Sequence, residues 1–212
     1  MHDKTVIVFA GGEMAPLKRP LPEFDLVIAA DSGLDHATAA GVAVDLLVGD
    51  LDSVSDDALT AAREAGVGIE EHPPDKDATD LELALAAAVR HGAAHIVVLG
   101  GGGGRIDHLL ANAMLLASPA WSEIDVEWHV DSAHILAIRS EATLTGRAGD
   151  LLTLLAIGEP ADGVTTEGLA YELTDEVLLA SSTRGVSNTF TGTAARVRVR
   201  TGILLAIHVL GD

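Results

Sequence analysis

Short apolar runs alternate with amphipathic segments through the first 130 residues. The runs occupy residues 5–10, 26–30, 45–48, 67–70, 95–99 and 125–130, and most are rich in Val, Ile and Leu. Helical patterns or capping signals lie between them, at residues 34–40, 55–65 and 79–91 and from Ile106 onward. Apolar strands that alternate with helices predict a mostly parallel sheet with right-handed crossovers and flanking helices, a Rossmann-like α/β architecture.

The pattern changes near residue 132, where short strand-like runs replace the helical segments. These runs lie at residues 135–138, 151–157, 176–179, 195–200 and 203–210. Residues 195–200 alternate apolar side chains with arginines, and Thr201-Gly202 predicts a tight hairpin turn into the last strand. We expect an α/β domain over residues 1–131 and a small all-β sandwich over residues 132–212. The arginine face, formed by Arg196, Arg198 and Arg200, is expected to be exposed to solvent. The alternative is that it forms a contact surface.

Composition narrows the classes of partner. The 212 residues carry a formal net charge of -19 and no cysteine. This charge argues against nucleic acid or an anionic membrane as the main partner, and the lack of cysteine excludes disulfides and Cys-ligated zinc. The first apolar run is too short to span a bilayer and lacks a signal-like cleavage region. We therefore expect a cytoplasmic protein.

Polar clusters follow four of the predicted strands. Asp31 follows the second strand, Asp50 and Asp52 the third, Asp75-Lys76-Asp77 the fourth, and a glycine-rich loop with Arg105 the fifth. Ligands of open α/β sheets bind outside the carboxyl ends of the strands. We therefore expect these clusters to line one edge of one sheet.

The acidic residues of these clusters are candidate cation ligands. If strand geometry continues through Asp50 and Asp52, both side chains point to the same face, and paired carboxylates suit Mg²⁺. The alternative is a charged loop in which Ser53 or Ser55 caps the next helix. The loop Asp75-Lys76-Asp77 fits a metal–triphosphate site, in which carboxylates hold Mg²⁺ and the lysine balances phosphate charge.

The glycine-rich loop is a candidate phosphate site. Gly100–Gly104 lie between a strand and a helix, so backbone amides and the helix N-terminus favour a phosphate guest. The loop is not a Walker A motif, because Arg105-Ile106 stands where Lys-Ser/Thr is required. A dinucleotide fingerprint matches it weakly, with Asp125 or Asp131 as the only partner acids. Arg105 provides a planar fork for phosphate oxygens.

The ordered set of motifs resembles the thiamine pyrophosphokinase family over essentially the whole chain. The motifs are residues 30–33, Val48-Gly49-Asp50-Leu51-Asp52-Ser53, residues 75–82, Gly103-Gly104-Arg105-Ile106-Asp107-His108, residues 168–173 and residues 184–188. The resemblance implies transfer of a pyrophosphoryl group from ATP to the thiamine hydroxyl, giving AMP and thiamine diphosphate. It also implies an N-terminal α/β domain, a C-terminal β-sandwich, and a homodimer whose active site lies between the α/β domain of one subunit and the β domain of the other.

The resemblance assigns roles to individual residues, which we combine with the roles indicated by the motifs. The expected metal ligands for Mg²⁺ are Asp50, Asp52 and Asp77, and the expected catalytic residues are Asp50, Asp77 and Arg105. The expected ATP-binding residues are Asp31, Lys76, Asp80, Gly103, Gly104, Arg105, Asp107 and His108. The expected thiamine-binding residues are Tyr171, Ser187 and Asn188; an aromatic face suits a flat cationic ligand.

Three positions depart from the family pattern. Ser32 stands where a glycine is expected, Val44 where a proline often precedes Asp45, and Tyr171 where some members have tryptophan. These departures concern substrate affinity more than the fold.

Three alternatives to this function are carried forward. The acceptor could be a hydroxymethylated pterin; Asp50-Leu51-Asp52 could be the Asp-x-Asp of a sugar-nucleotide transferase; or the protein could bind nucleotide or thiamine without turnover. The transferase alternative leaves residues 75–80 and the second domain unexplained, and a pure binder gains little from so many converging carboxylates.

Overall fold

The computed structural model describes residues 3–17 and 20–210, and the chain divides into two compact units. Unit 1 comprises Met1–Leu115 and Pro119–Asp131, and unit 2 comprises Leu116–Ser118 and Ser132–Asp212. Each unit has its own clusters of buried apolar side chains. No helix within the described ranges is long and apolar enough to span a bilayer.

Unit 1 is built around a parallel sheet. Its strands are β1 (Lys4–Ala10), β2 (Leu26–Ala30), β3 (Leu46–Gly49), β4 (Gly68–Glu71), β5 (Ala93–Gly100) and β6 (Asp125–Val130). Its helices are α1 (Gly33–Ala39), α2 (Asp56–Glu64), α3 (Asp80–Arg90) and α4 (Ile106–Leu115), with a short 3₁₀ helix at Pro119–Trp121. The strand order is β6-β5-β1-β2-β3-β4, and each of these neighbouring pairs is parallel. The predicted mostly parallel sheet with helices is confirmed.

The central strand β1 is buried on both faces. Val6, Ile7, Val8 and Phe9 have no exposed surface, and successive side chains of a strand point to opposite faces. Ile7 and Phe9 pack with Ala37 of α1 in one cluster, so Val6 and Val8 are covered from the opposite face. A continuous apolar run forms such a strand because both of its faces leave water on folding.

An ion pair joins the neighbouring strands β5 and β6, where His95 Nε2 lies 3.3 Å from Glu127 Oε1. The hydrogen bond with Glu127 raises the pKa of His95, and burial opposes this effect without cancelling it. A histidine pKa that is higher in the folded state stabilises the fold fully below about pH 6.5, the ordinary value. That contribution is lost as the pH rises through the folded-state pKa.

We expect His95→Gln to lower the free energy of unfolding by up to about 1 kcal/mol near pH 5.5, and by less near pH 8.5. The reason is that the charged pair with Glu127 exists only while His95 is protonated. Urea denaturation of both proteins at the two pH values measures the difference. An equal loss at both values would show that packing, and not charge, accounts for the effect.

Unit 2 consists of two antiparallel sheets. Its strands are β7 (Ala133–Ile138), β8 (Glu141–Thr145), β9 (Leu151–Ala156), β10 (Ala161–Glu167), β11 (Glu176–Leu178), β12 (Asn188–Thr189), β13 (Ala194–Arg198) and β14 (Leu204–Val209). One sheet of this unit has the order β12-β9-β14-β7 and the other β11-β10-β13-β8. Ile138 and Leu152 from the first sheet share one buried cluster with Leu144 and Val197 from the second. The prediction that this part of the chain is built from β-strands is confirmed, since residues 132–210 contain no helix.

The predicted hairpin at Thr201-Gly202 is wrong. β13 pairs with β8 and β10, whereas β14 pairs with β7 and β9, so the turn joins strands of different sheets. The Thr201 N–H donates to the carbonyl of Asp162, and Gly202 has a φ of +86°. A tight turn between two strand-like runs is common to hairpins and to crossings between sheets, and only the pairing partners distinguish the two.

The arginine face of β13 forms ion pairs across its sheet. Arg196 Nη2 lies 2.6 Å from Glu141 Oε1 on β8, and Arg198 Nη2 lies 2.7 Å from Glu167 Oε1 on β10. All four side chains are exposed, so water screens the pairs and they contribute little to stability. Within the chain this is a solvated face, as the sequence indicates.

Candidate functional site

The loops after β1, β2, β3 and β5 meet at the carboxyl edge of the unit 1 sheet, around a cavity of about 620 Å³. The cavity is lined by residues 10–13, 30–32 and 79–81, by Asp50, Asp52 and Ser53, and by residues 101–105 with His108 and Asn112. The strand order reverses here, because β1 has β2 on one side and β5 on the other. Such a reversal opens a crevice for ligands. Of the four predicted polar clusters, those at Asp31, at Asp50 and Asp52, and at the glycine-rich loop contribute to this lining.

The glycine-rich loop after β5 is held against the loop after β1. The Gly101 N–H donates to Gly11 O at 2.9 Å, and Gly102 and Glu13 exchange backbone hydrogen bonds of 2.8 and 3.2 Å. Gly103 has a φ of +75°, and a Cβ there would lie 2.4 Å from side-chain atoms of Glu13. Glycine is therefore required at position 103 by both conformation and space. Backbone atoms line this part of the cavity, which suits phosphate oxygens.

Asp31 is the buried acid of the cavity. It is 7% exposed, its φ is +48°, and its Oδ1 has no hydrogen-bond partner among the residues described. Burial raises the pKa of Asp31, and a hydrogen bond with Ser53 opposes the increase. A buried carboxylate oxygen without a donor is costly unless a cation contacts it. Asp31 therefore has the character of a cation ligand.

Lys76 pairs with two acids at the cavity. Its Nζ lies 2.7 Å from Asp50 Oδ2, and it meets Asp80 Oδ1 at 3.0 Å as a charge contact without hydrogen-bond geometry. The hydrogen bond from Lys76 lowers the pKa of Asp50. Burial lowers the pKa of Lys76, but the two carboxylates raise it by more. Both members of the pair between Lys76 and Asp50 are thus held in their charged forms.

Three carboxylates converge beside this pair. One oxygen each from Asp31, Asp50 and Asp52 lie within 4.8 Å of one another. With a buried oxygen that lacks a donor, this set fits a hard divalent cation such as Mg²⁺. Asp77, a predicted ligand, is exposed and belongs neither to this set nor to the cavity lining. The structure groups Asp31 with the Asp50 and Asp52 pair, and the role of Asp77 stays a prediction.

Arg105 and Asp107 form a two-point contact at the start of α4. Arg105 Nε lies 2.9 Å from Asp107 Oδ1, and Nη2 lies 2.6 Å from Oδ2. The guanidinium holds the pKa of the Asp107 carboxyl well below its ordinary value. Arg105 and His108 line the cavity, whereas Asp107 does not. Asp107 therefore orients the arginine that borders the cavity.

The three residues predicted to bind thiamine lie in one region of unit 2. The Asn188 side chain accepts from Tyr171 N–H at 3.0 Å and donates to Tyr171 O at 2.7 Å. Tyr171 is 75% exposed. Ser187 has a φ of +61°, and its N–H donates to Thr153 Oγ1 at 3.0 Å. The Asn188 amide thus fixes the backbone that carries Tyr171, which the sequence does not predict.

Gly11, Gly12 and Glu13 line the cavity but are not predicted from the sequence, because two glycines after a strand are typical of an ordinary turn. Only the adjacency of β1 and β5 makes that turn part of the site. The departure at Ser32 leaves the fold unchanged, since its φ of -61° is open to any residue.

Two family models match the chain. Thiamin pyrophosphokinase, catalytic domain, matches residues 17–128, and thiamin pyrophosphokinase, vitamin B1 binding domain, matches residues 133–204. A thiamine pyrophosphokinase from Bacillus subtilis (strain 168) is 26% identical over 210 residues, which cover 97% of this chain and 98% of the relative.

Solved structures are similar over nearly the full length. A crystal structure of thiamine pyrophosphokinase from Bacillus subtilis has a TM-score of 0.87 and 25% identity, covering 99% of this chain and 100% of the other. A thiamin pyrophosphokinase family protein from Enterococcus faecalis has a TM-score of 0.81 and 25% identity, with the same coverage. Thiamin pyrophosphokinase from Candida albicans, at 15% identity, has a TM-score of 0.81 and covers 97% of this chain and 90% of its own, which is a likeness of fold.

Proposed function

The chain belongs to the thiamin pyrophosphokinase family, and from that premise we propose that it transfers the pyrophosphoryl group of ATP to the hydroxyl of thiamine. The products are thiamine diphosphate and AMP. The observation that carries the proposal is the cavity in which Asp31, Asp50 and Asp52 share the lining with the glycine-rich loop. A cation site beside a phosphate cradle is what phosphoryl-type transfer requires. We also propose that the enzyme acts in the cytoplasm, where ATP is available.

The ATP phosphates are proposed to lie against the loop that ends in Gly103 and Gly104. The following helix, α4, presents its N-terminus there, and its partial positive charge favours anions. Arg105, held by Asp107, supplies a fork that matches phosphate oxygens. His108 lies on the cavity lining, in the first turn of the helix.

We propose that Mg²⁺ is held by Asp31, Asp50 and Asp52, whose oxygens are close enough to share one ion. When bound, Mg²⁺ offsets the negative charge of the phosphates. Lys76 keeps Asp50 ionised and therefore ready to bind a cation. Asp77, on the loop that carries Lys76, remains a proposed catalytic acid.

The proposed reaction forms one bond and breaks one. The hydroxyl oxygen of thiamine bonds to the β-phosphorus of ATP, and the bond from this phosphorus to the α–β bridging oxygen breaks. Its electron pair leaves with AMP, and the hydroxyl proton passes to a carboxylate of the site. Arg105 and Lys76 stabilise the negative charge on the phosphates during transfer.

The thiamine side is proposed to be Tyr171, Ser187 and Asn188 of unit 2. The exposed ring of Tyr171 offers a face to a flat cation, and the Asn188 side chain holds that segment in place. We also propose a homodimer in which unit 1 of one subunit and unit 2 of the other complete the active site. The cavity lined by the three carboxylates and the glycine-rich loop would bind the nucleotide.

An exposed apolar stripe on α4 supports the homodimer. Ile106, Leu110 and Met114 are 66%, 58% and 65% exposed, and their spacing of four residues places them on one face of the helix. Stable association buries such side chains. Arg105 directly precedes α4 and His108 lies in its first turn, and both line the cavity, so a subunit packed on this stripe would border the cavity.

We expect Leu110→Glu to weaken subunit association by about 100-fold or more, because each interface would then bury carboxylates against apolar surface. Sedimentation velocity of both proteins over a range of concentrations measures the effect. Ala61→Glu, at an exposed position of α2, is the matched control and is expected to leave the dimer unchanged. A dimer that persists in Leu110→Glu would exclude the stripe as its interface.

A nucleotide product assay tests the proposed function. Purified protein is incubated with Mg²⁺ and ATP, with and without thiamine, and AMP is resolved from ADP. We expect thiamine-dependent AMP with an equal amount of thiamine diphosphate. Formation of ADP alone would overturn the proposal, and turnover with a hydroxymethylated pterin but not with thiamine would replace the acceptor.

A further inference from the structure

The two acids Asp50 and Asp52 converge through the residue between them, and not through strand alternation. β3 ends at Gly49, one residue before Asp50. The expectation that both carboxylates share a strand face therefore does not apply to them. Leu51 instead has a φ of +63°, in the left-handed region that residues with a side chain rarely adopt. One left-handed residue turns the backbone between the two acids.

The turn around Leu51 is supported by local hydrogen bonds. Asp52 N–H donates to Asp50 Oδ1 at 3.3 Å, and Val54 N–H donates to Leu51 O at 3.3 Å. The Ser53 hydroxyl donates to Asp52 Oδ1 at 3.0 Å. These contacts shape the loop, but none of them acts on the Leu51 side chain or explains why a leucine is tolerated in the left-handed region.

The Leu51 side chain is anchored in an apolar cluster. It is half-buried and packs against the cluster formed by Ala29, Leu34, Leu47 and Val54, together with Ala62 of α2. A left-handed leucine costs free energy that an extended or helical leucine does not. Burial of the side chain offsets this cost, so the cluster holds the backbone in the conformation that turns the acids together.

We propose that Leu51 is a positioning residue for the divalent cation of this enzyme, an inference that rests on the proposed metal role of Asp50 and Asp52. Its buried side chain holds residue 51 left-handed and thereby keeps the two carboxylates at the separation that lets them share an ion with Asp31. Leu51 contacts neither substrate nor metal in this proposal. It acts through the acids on either side.

The test compares two equal truncations in the same apolar cluster. Leu51→Ala removes the anchor between the acids, whereas Leu59→Ala removes a half-buried leucine of the same cluster from α2, away from the cavity lining. Isothermal titration with Mn²⁺ alone measures the dissociation constant of each folded variant, and thermal denaturation measures its stability. Leu51→Met retains an apolar side chain of similar volume and serves as the rescue variant.

We expect Leu51→Ala to raise the Mn²⁺ dissociation constant about ten-fold or more, with Leu51→Met within about three-fold of the wild type. Leu59→Ala is expected to lower the melting temperature by a similar amount yet to keep the dissociation constant within about two-fold. The Mg²⁺ concentration for half-maximal activity should rise in Leu51→Ala while kcat at saturating Mg²⁺ changes little. A purely structural residue would not separate metal affinity from stability in this way.

Two results would overturn the positioning role. One is a Leu51→Ala variant that binds Mn²⁺ as tightly as the wild type, and the other is an equal loss of affinity in Leu59→Ala. Failure of the proposed function looks different: the wild type would bind Mn²⁺, Asp50→Asn would abolish that binding, and no thiamine diphosphate would form. The Mn²⁺ affinities of the Leu51 variants would still decide the positioning role in that case.

Discussion

Asp50→Asn is expected to reduce formation of thiamine diphosphate by about 10²- to 10³-fold. The substitution removes a negative charge from the set of Asp31, Asp50 and Asp52, and it removes the partner of Lys76 at 2.7 Å. The amide has the shape of the carboxylate, so the loop is expected to keep its conformation. Steady-state rates at saturating ATP and thiamine, together with Mn²⁺ affinity, measure both consequences.

Asp57→Asn is the matched control for this substitution. Asp57 is an exposed acid in the first turn of α2, outside the cavity lining. Asp57→Asn makes the same chemical change as Asp50→Asn, a few residues along the chain. Because it alters only a charge at a helix terminus, we expect activity within about two-fold of the wild type. Equal losses in both variants would assign the effect to general charge and not to a cation site.

Gly33→Ala is expected to lower the free energy of unfolding by about 3 kcal/mol or more. A Cβ on Gly33 would lie 2.0 Å from the carbonyl oxygen of Phe9 and 2.6 Å from its carbonyl carbon. These are backbone atoms of the buried strand β1, so the start of α1 would have to move away from the sheet. Urea denaturation followed by circular dichroism measures the loss.

Gly192→Ala provides the control for this prediction. No atom lies within 4 Å of a Cβ built at Gly192, and its φ is outside the left-handed region. We expect a change within about 0.5 kcal/mol. If the free energy of unfolding of Gly33→Ala were within about 1 kcal/mol of the wild-type value, the close approach of α1 to β1 would be wrong.

The strands of unit 1 were predictable because the pattern of apolar residues that indicates a strand lies within a short stretch of the sequence. Residues 26–30 and 125–130 are predicted as strands from the local sequence, and they are β2 and β6 with the same bounds. In unit 2 the strands β8, β10 and β12 are not predicted from the sequence pattern. β10 contains Asp162, Gly163 and three further polar residues, and its strand geometry comes from pairing with β11 and β13.

The cavity residues, too, were predictable from the sequence only in part. The sequence places Asp31, Asp50 and Asp52 after apolar strands, and the structure brings them together because parallel strands end at a common edge. The sequence also predicts a role for Asp77, but in the structure Lys76 of the same loop contacts Asp50 and Asp80 of the lining, whereas Asp77 is exposed and outside it. The separation of the lysine from the acid depends on the path of an irregular loop, which no periodic pattern encodes.

The sequence by itself determined the order of the strands and helices, the acids that follow them, and the family whose motifs it carries in order, because burial and turn chemistry are local properties. Tertiary structure decided which strands are neighbours. The adjacency of β1 and β5 makes Glu13 a cavity residue, and the separation of β13 from β14 turns an apparent hairpin into a crossing. It also decided that Leu51, through a left-handed turn anchored in an apolar cluster, brings Asp50 and Asp52 together. Pairing and anchoring join residues far apart in the chain, so their free energy depends on the whole fold and not on any single stretch.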